Sequence, residues 1–176
     1  LVLEPKILLL DEPFPSLDQH LRERLREEVR DIQQRLKITT LFVTHGQDEA
    51  LALADRIVVM RDGKTEQIDR PDVIYRDPQT PFVAGFIGTM NLIEGTIANG
   101  QFVRDGVSFP VPASDGPAIL AVRPEALDLV KADPGQARVH RVTDFGTHGL
   151  VDLVLGDGVR LKAMVSHPGL FAMGQG

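Results

Sequence analysis

The sequence ILLLDEPFPSLD at residues 7–18 decides the fold of the N-terminal half. Four aliphatic residues open it, and such an unbroken apolar run is typical of a strand buried on both faces of a parallel α/β sheet. Asp11 and Glu12 follow at the predicted carboxyl end of this strand, where open α/β sheets bind ligands. Adjacent carboxylates repel each other unless a cation or a polarised water lies between them. The stretch therefore predicts either a functional acid pair or a core strand whose acids cap the next helix.

A helical pattern and a second extended pattern follow. Apolar residues recur at steps of three and four over residues 19–37, which predicts an amphipathic helix with Asp18 as its N-cap. Residues 39–44, TTLFVT, are rich in β-branched side chains and predict a strand that ends next to His45.

A right-handed crossover makes two consecutive strands parallel, so that their carboxyl ends meet at one edge of the sheet. We therefore expect Asp11, Glu12, Asp18 and His45 to converge there. These residue types suit the hydrolysis of a phosphoanhydride. One acid can hold Mg²⁺, a second can act on the attacking water, and an imidazole can donate to a terminal phosphate oxygen. The third acid can contact a neighbouring subunit.

The rest of the first half is predicted to continue the α/β pattern. Residues 47–55 predict a short helix, and residues 56–60 predict a third strand of the parallel layer. Asp62-Gly63 is a strong turn signal that makes this strand the first arm of a hairpin. Proline at positions 71 and 81 opens two further short helices.

The pattern changes near residue 88, after which short extended runs are separated by turns. Asn99-Gly100, Asp105-Gly106 and Asp157-Gly158 are hairpin signals. We predict two domains, an α/β domain at residues 1–88 and a small all-β, OB-like barrel at residues 89–176. The turn at Arg123-Pro124-Glu125 is interpreted as structural rather than ligand-binding.

Composition excludes several classes of protein. The chain of 176 residues contains no cysteine, which rules out disulfides and thiolate metal sites. No apolar run reaches the roughly 18 residues of a membrane span. Net charge is −6, with −4 in residues 1–88 and −2 in residues 89–176, so neither half predicts nucleic acid as the main partner. His140, His148 and His167 lack metal-ligand spacing.

Three motifs resemble those of the ATPase subunits of ATP-binding-cassette (ABC) transporters. ILLLDEP at residues 7–13 resembles the Walker B strand with its catalytic glutamate, and PSLD at 15–18 resembles the D-loop. LFVTH at 41–45 resembles the strand that carries the switch histidine. Residues 51–88 are similar to the end of the nucleotide-binding domain in importers of the sugar, sulfate, polyamine and iron type. MNLIEGTI and AVRPEAL, further on, resemble their TOBE-type regulatory β-barrel.

The resemblance implies a role for each candidate residue and a set of partners. Asp11 would support Mg²⁺, directly or through water, and Glu12 would act on the hydrolytic water. Asp18 would bridge to the site of the partner subunit, and His45 would contact the γ-phosphate of ATP. The implied protein hydrolyses ATP as a peripheral homodimer on the cytoplasmic face of a bacterial inner membrane. It would energise transmembrane permease subunits and serve a solute-binding protein indirectly.

The sequence also departs from the family pattern. Gly46 stands where the family usually has Asp, and Pro15 occupies a D-loop position usually held by a small residue. No GxxxxGK[ST] loop, Gln loop or LSGGQ-like signature occurs, and in this family those elements precede Walker B. We therefore expect the C-terminal part of a longer ATPase, with an incomplete second domain and no activity by itself.

Two alternatives stay open beside an importer ATPase. One is a non-catalytic regulatory or interaction fragment that lacks the phosphate-binding loop. The other is a soluble cassette ATPase that works on DNA or ribosomes. The predicted β-barrel, the acidic charge and the lack of a coiled-coil insertion argue against the second alternative.

Overall fold

The computed structural model describes residues 5–14, 18–104, 107–132 and 135–174. The chain divides into two compact units, Leu1–Val83 and Ala84–Gly176. Within the described residues, no helix has the length and apolar character needed to cross a membrane. The elements up to residue 86 are β1 (Ile7–Asp11), α1 (Gln19–Leu36), β2 (Thr39–Val43), α2 (Gln47–Leu53), β3 (Ile57–Arg61), β4 (Lys64–Asp69), α3 (Pro71–Arg76) and α4 (Pro81–Phe86).

The first strands and the helix between them form as predicted. β1 and β2 are parallel, with Ile7 opposite Thr39 and Asp11 opposite Val43. The carboxylate of Asp18 accepts a hydrogen bond from the Leu21 backbone N–H at 2.9 Å, which confirms the predicted N-cap of α1. Helix α1 ends at its C-cap residue, because the backbone of that residue has a left-handed conformation.

The prediction that β1 is buried on both faces is wrong for the described structure. Ile7 and Leu9 are 60% and 69% exposed, while Leu8 and Leu10 on the other face are half-buried. On that half-buried face, β2 contributes Phe42, whose ring lies 5.8 Å from that of Phe14 between centroids. The reason for the exposure is that β2 is the only described strand that pairs with β1, and no described element covers the outward face of the two strands.

The third strand also departs from the prediction of a three-stranded parallel layer. β3 pairs antiparallel with β4 in a separate two-stranded sheet of the described residues. Asp62 and Gly63 have φ values of 51° and 73°, which is the turn that the Asp-Gly signal predicts. The predicted hairpin is thus confirmed. Because the tight turn reverses the chain directly after β3, β4 pairs with one edge of β3.

After the end of α4, the described residues of the second unit form only strands, turns and two short 3₁₀ turns at Pro124–Ala126 and Pro168–Leu170. The expected fold class, an α/β part followed by an all-β part, is therefore confirmed. The strands form two antiparallel sheets, ordered β7-β6-β5-β8 and β11-β10-β9. They are β5 (Asn91–Ala98), β6 (Gln101–Arg104), β7 (Val107–Pro110), β8 (Gly116–Val122), β9 (Ala137–Asp144), β10 (Gly149–Leu155) and β11 (Arg160–Val165).

Two of the three predicted hairpin turns in this unit are confirmed. Asn99 and Gly100 join β5 to β6 with φ values of 54° and 70°, and Gly158 lies between β10 and β11 with φ of 85°. The predicted turn at Asp105-Gly106 lies outside the described residues.

One hydrophobic core joins the two sheets. β5 and β6 contribute Ile93 and Phe102, and the second sheet contributes Val139, Val151, Leu153, Leu161 and Ala163. Phe102 lies so close to β5 that a Cβ atom at Gly95 would be 2.3 Å from its ring. Such a separation is far inside van der Waals contact, so the core requires glycine at this position.

Two buried polar side chains fix the segment that precedes and begins β5. The Arg123 guanidinium is buried and donates to the carbonyls of Ile87 and Thr89. Asn91 donates to the Lys162 carbonyl at 2.8 Å and accepts from the Lys162 N–H at 2.7 Å. Arg123 thus has the structural role expected from the sequence, and the segment is held by charge-assisted and paired hydrogen bonds.

Replacing Gly95 with alanine is expected to lower the free energy of unfolding by about 1–3 kcal/mol, because the new methyl group overpacks the core against Phe102. Urea denaturation followed by circular dichroism measures the change. The matched control is Gly156→Ala, where an added Cβ meets no atom within 4 Å and the expected change is below about 0.5 kcal/mol. Equal stabilities of the two variants would contradict this description of the core.

Candidate functional site

The carboxyl ends of β1 and β2 bring two predicted site residues into contact. The backbone N–H of Glu12 donates to the Val43 carbonyl at 2.8 Å, which extends the parallel pairing one residue beyond β1. The His45 Nε2 atom then lies 3.0 Å from the Glu12 Oε1 atom. The imidazole side chain is 88% exposed and the carboxylate side chain is 52% exposed. Both groups are therefore accessible to a ligand at this edge of the sheet.

Glu12 also has an unusual backbone. Its φ of 42° lies in the left-handed region, which residues other than glycine, asparagine and aspartate rarely adopt. A conformation of this kind costs on the order of 1–3 kcal/mol and is found most often at functional sites. The strain adds to the case that the acid at position 12 has a function beyond capping.

The other two predicted residues have different surroundings. Asp11 is the last residue of β1, is exposed, and adjoins Glu12. The carboxylate of Asp18 caps α1, and the neighbouring residues 15–17 of the predicted D-loop lie outside the described residues. The structure thus pairs Glu12 with His45, leaves Asp11 beside them, and gives Asp18 a capping contact. The catalytic and binding roles of all four remain predictions.

A buried carboxylate that the sequence analysis missed organises the corner after β2. The Glu49 side chain on α2 is only 9% exposed, and its Oε1 atom lies 3.3 Å from the Arg26 Nη2 atom of α1. Its Oε2 atom accepts a hydrogen bond from the Thr44 hydroxyl. That hydroxyl oxygen in turn accepts from the Gly46 N–H at 2.8 Å. The network holds the residues on both sides of His45.

Gly46 leaves room for this network. A Cβ atom at position 46 would lie 2.7 Å from the Glu49 Cδ atom, so any larger residue would displace the carboxylate. The departure from the family pattern at this position therefore has a structural reason in this chain. The signal available in the sequence was the combination of Thr44, Gly46 and Glu49 around a strand-end histidine, with Glu49 at a position of α2 that packs toward α1.

The donor atoms at the edge fit a magnesium ion that is shared with a phosphate ligand. Asp11 provides carboxylate oxygens, the hard ligands that Mg²⁺ prefers. Within the part of the chain that the structure describes, no group of three or more His, Cys, Asp or Glu residues could hold a metal ion. Mg²⁺ is commonly held by one or two carboxylates together with substrate phosphates, and Asp11 fits the protein part of such a set.

Comparison with known proteins finds similarity in both halves. A family model for the TOBE domain matches residues 120–176. The sulfate/thiosulfate import ATP-binding protein CysA 1 of Rhizobium meliloti is 47% identical over 138 residues, which cover 77% of this chain and 40% of that protein. The corresponding protein of Mannheimia succiniciproducens is 40% identical over 159 residues, covering 86% of this chain and 44% of its own length. The corresponding protein of Escherichia coli K12 is 47% identical over 132 residues, which cover 73% of this chain and 36% of that protein.

The chain thus spans less than half the length of each of these relatives. Within that span the identity is high and extends over most of the chain.

Replacing Gly46 with alanine is expected to lower the free energy of unfolding by about 1–3 kcal/mol, because the methyl group pushes the Glu49 carboxylate away from Arg26 and Thr44. Urea denaturation of the single and double variants measures the effect. In a Glu49→Ala background the side chain that clashes is gone, so the same replacement should cost much less. An equal cost of Gly46→Ala in both backgrounds would refute the close contact with Glu49.

Proposed function

The chain belongs to the family of ATP-binding subunits of ABC importers, and on that premise we propose that the whole protein hydrolyses ATP to drive solute import through a membrane permease. The observation that carries this proposal is the contact between Glu12 and His45 at the ends of two parallel strands, 3.0 Å between Nε2 and Oε1. An acid and an imidazole in contact, exposed beside a second acid, suit the hydrolysis of a phosphoanhydride.

In this proposal Glu12 is the group that orients the attacking water and accepts its proton. Its carboxylate is exposed on the strained turn after β1, where it can reach a water held against a phosphate. The His45 Nε2–H, which now faces Glu12, would donate to the terminal phosphate oxygen when ATP is bound. That exchange would free the Glu12 oxygen for the water, so the contact serves as a resting arrangement of the two groups.

Asp11 and Asp18 have supporting roles in the proposal. The Asp11 carboxylate would hold Mg²⁺, directly or through water, and when bound the ion neutralises charge on the phosphates. Asp18 would contact the second ATPase subunit of a homodimer while its carboxylate continues to cap α1. The Glu49 network would keep His45 in reach of the phosphate, because it fixes Thr44 and Gly46 on either side of it.

We also propose a domain organisation and a cellular setting. Residues 1–88 would be the C-terminal part of the ATPase domain, and residues 89–176 a TOBE-like regulatory domain, which the TOBE match at residues 120–176 supports. The partners would be permease subunits, a second ATPase subunit and, indirectly, a solute-binding protein, with the ATPase peripheral on the cytoplasmic face of the inner membrane. The names of the relatives favour sulfate or thiosulfate as the solute.

Replacing Glu12 with glutamine in the full-length protein is expected to reduce steady-state ATP hydrolysis by about 10²–10⁴-fold, because the amide cannot accept a proton from the water. ATP binding should persist, since the amide has the size of the carboxylate. Phosphate release and nucleotide binding are measured on the same preparation. Glu28→Gln on the exposed face of α1 removes an equal charge away from the site and should leave hydrolysis unchanged.

Hydrolysis at the wild-type rate by the Glu12→Gln protein would reject the role assigned to Glu12. Loss of nucleotide binding together with hydrolysis would instead indicate that the acid is needed to hold the nucleotide. The 176-residue chain alone is expected to bind ATP weakly, because its sequence contains no GxxxxGK[ST] loop. Micromolar affinity of that chain for ATP in calorimetry would contradict this expectation.

A further inference from the structure

Helix α1 contacts both ends of α2 through two arginines that lie about one helical turn apart. The Arg26 Nη2 atom donates to the Glu49 Oε1 atom at 3.3 Å, in the first turn of α2. The Arg30 Nη1 atom donates to the carbonyls of Ala52 and Leu53 at 3.3 and 2.8 Å, where α2 ends. Residues four apart share one face of a helix, so both arginines hold α2 from the same side of α1. Of these two contacts, the one at Arg26 leads on to the candidate site.

The connection runs through the Glu49 carboxylate, whose two oxygens bind different partners. Its Oε1 atom binds the Arg26 guanidinium, and its Oε2 atom accepts a hydrogen bond from the Thr44 hydroxyl. A hydroxyl group has one proton to donate, so Thr44 keeps its lone pairs for another donor. The Gly46 N–H binds there at 2.8 Å. The hydroxyl is thus oriented from both sides, and the backbone is held immediately before and after His45.

The position of the imidazole depends on this held backbone. The His45 side chain is 88% exposed, so packing does not fix the ring. Its contact with Glu12 belongs to the resting arrangement and would end when the ring turns to a phosphate. The ring is then placed by the main chain of His45, which Thr44 and Gly46 hold on either side. A misplacement of about 1 Å at a reacting centre can cost on the order of 10²-fold in rate.

The link between α1 and the carboxylate is a charge pair that is largely removed from water. The Arg26 and Glu49 side chains are 17% and 9% exposed. Among the described residues, the Arg26 Nε atom is buried and has no hydrogen-bond partner, so this guanidinium is anchored at its Nη2 end. Loss of one member of a buried pair leaves the other charge without its partner. A change at Arg26 should therefore displace the carboxylate and, with it, the Thr44 hydroxyl.

We propose that Arg26, Glu49 and Thr44 are positioning residues for His45, through which helix α1 sets the place of the imidazole. The proposal rests on the proposed function, in which the His45 Nε2–H donates to the terminal phosphate of ATP. It adds to that function a helix outside the strand ends, because Arg26 lies on α1 whereas His45 follows β2. A hydrogen bond to the phosphate gains strength as charge develops there, so misplacement of the donor should lower kcat more than it changes KM for ATP.

The two arginines form a matched pair for a test in the full-length protein. Arg26→Met and Arg30→Met each remove one guanidinium that binds α2, and each keeps an apolar stem. Steady-state hydrolysis over a range of ATP concentrations gives kcat and KM. We expect Arg26→Met to lower kcat about tenfold or more, with KM unchanged within about twofold, because the imidazole is displaced. Arg30→Met should keep kcat within about twofold of the wild type, since its contacts lie at the far end of α2.

Conservative variants separate a positioning role from a loss of folding. Arg26→Lys keeps a cation for the carboxylate and should recover most of the lost kcat, although it has fewer donors. Thr44→Val removes the hydroxyl at nearly constant shape and should lower kcat about tenfold, whereas Thr44→Ser keeps the hydroxyl and should recover the rate. Thermal unfolding followed by circular dichroism identifies an assay temperature at which every variant is folded.

A double variant tests whether Arg26 and Thr44 act through the same carboxylate. If Glu49 is their common link, Arg26→Met/Thr44→Val should hydrolyse ATP no more than about twofold more slowly than the slower single variant. Losses that multiply would overturn the common route through Glu49. Equal losses of kcat in Arg26→Met and Arg30→Met would overturn the positioning role, because any contact between α1 and α2 would then have the same effect.

The NMR signal of the His45 imidazole, in nucleotide-free full-length protein with isotope-labelled histidine, distinguishes this proposal from the proposed function. A His45→Gln variant assigns the signal. We expect its chemical shift to change in Arg26→Met and to keep the wild-type value in Arg30→Met. An unchanged signal in Arg26→Met overturns the link from α1 to the imidazole, whatever the rate of hydrolysis. A changed signal with wild-type kcat would retain that link and reject the proposed role of His45 in hydrolysis.

Discussion

The parallel pairing of β1 with β2 is the constraint on which the candidate site depends. It aligns Asp11 with Val43. The hydrogen bond from the Glu12 N–H to the Val43 carbonyl is the last described one between the two strands and fixes the position at which the chain turns away from β2. A shift of this register by one residue would move Glu12 away from His45 and turn every side chain of the strand to the other face. The contact between the acid and the imidazole is therefore a property of backbone pairing, and both side chains can remain exposed without losing their relative position.

The corner after β2 adds a second constraint, and here the determining group is buried. The Glu49 carboxylate is largely removed from water, a state that is costly unless the charge is paired and hydrogen-bonded. Arg26 and the Thr44 hydroxyl provide those partners, from α1 and from the end of β2. One carboxylate thus links three elements around His45, and the absence of a side chain at Gly46 is what lets it approach so closely.

Local features of the fold could be predicted from the sequence because short-range physics determines them. The apolar spacing and the cap at Asp18 gave the limits of α1 to within a residue, and the Asn-Gly and Asp-Gly signals located three hairpin turns, although the turn between β9 and β10 has neither signal. The exposed face of β1 and the antiparallel partner of β3 depend on which strands meet, which an apolar run does not specify. In the site, strand order brought Glu12 and His45 together as expected. The Glu49 network escaped prediction since an isolated glutamate on a short helix looks like a surface residue.

The left-handed backbone of Glu12 opposes the stability of the fold to the catalytic role that we propose for its carboxylate. Glycine would adopt this conformation without the steric cost that a glutamate carries, so selection for a more stable chain alone would favour glycine there. It would also remove the carboxylate that faces His45. A glutamate at a position where its backbone is strained fits the catalytic role that we propose for it. Attempts to make this protein more heat-resistant by relieving backbone strain should therefore leave position 12 unchanged.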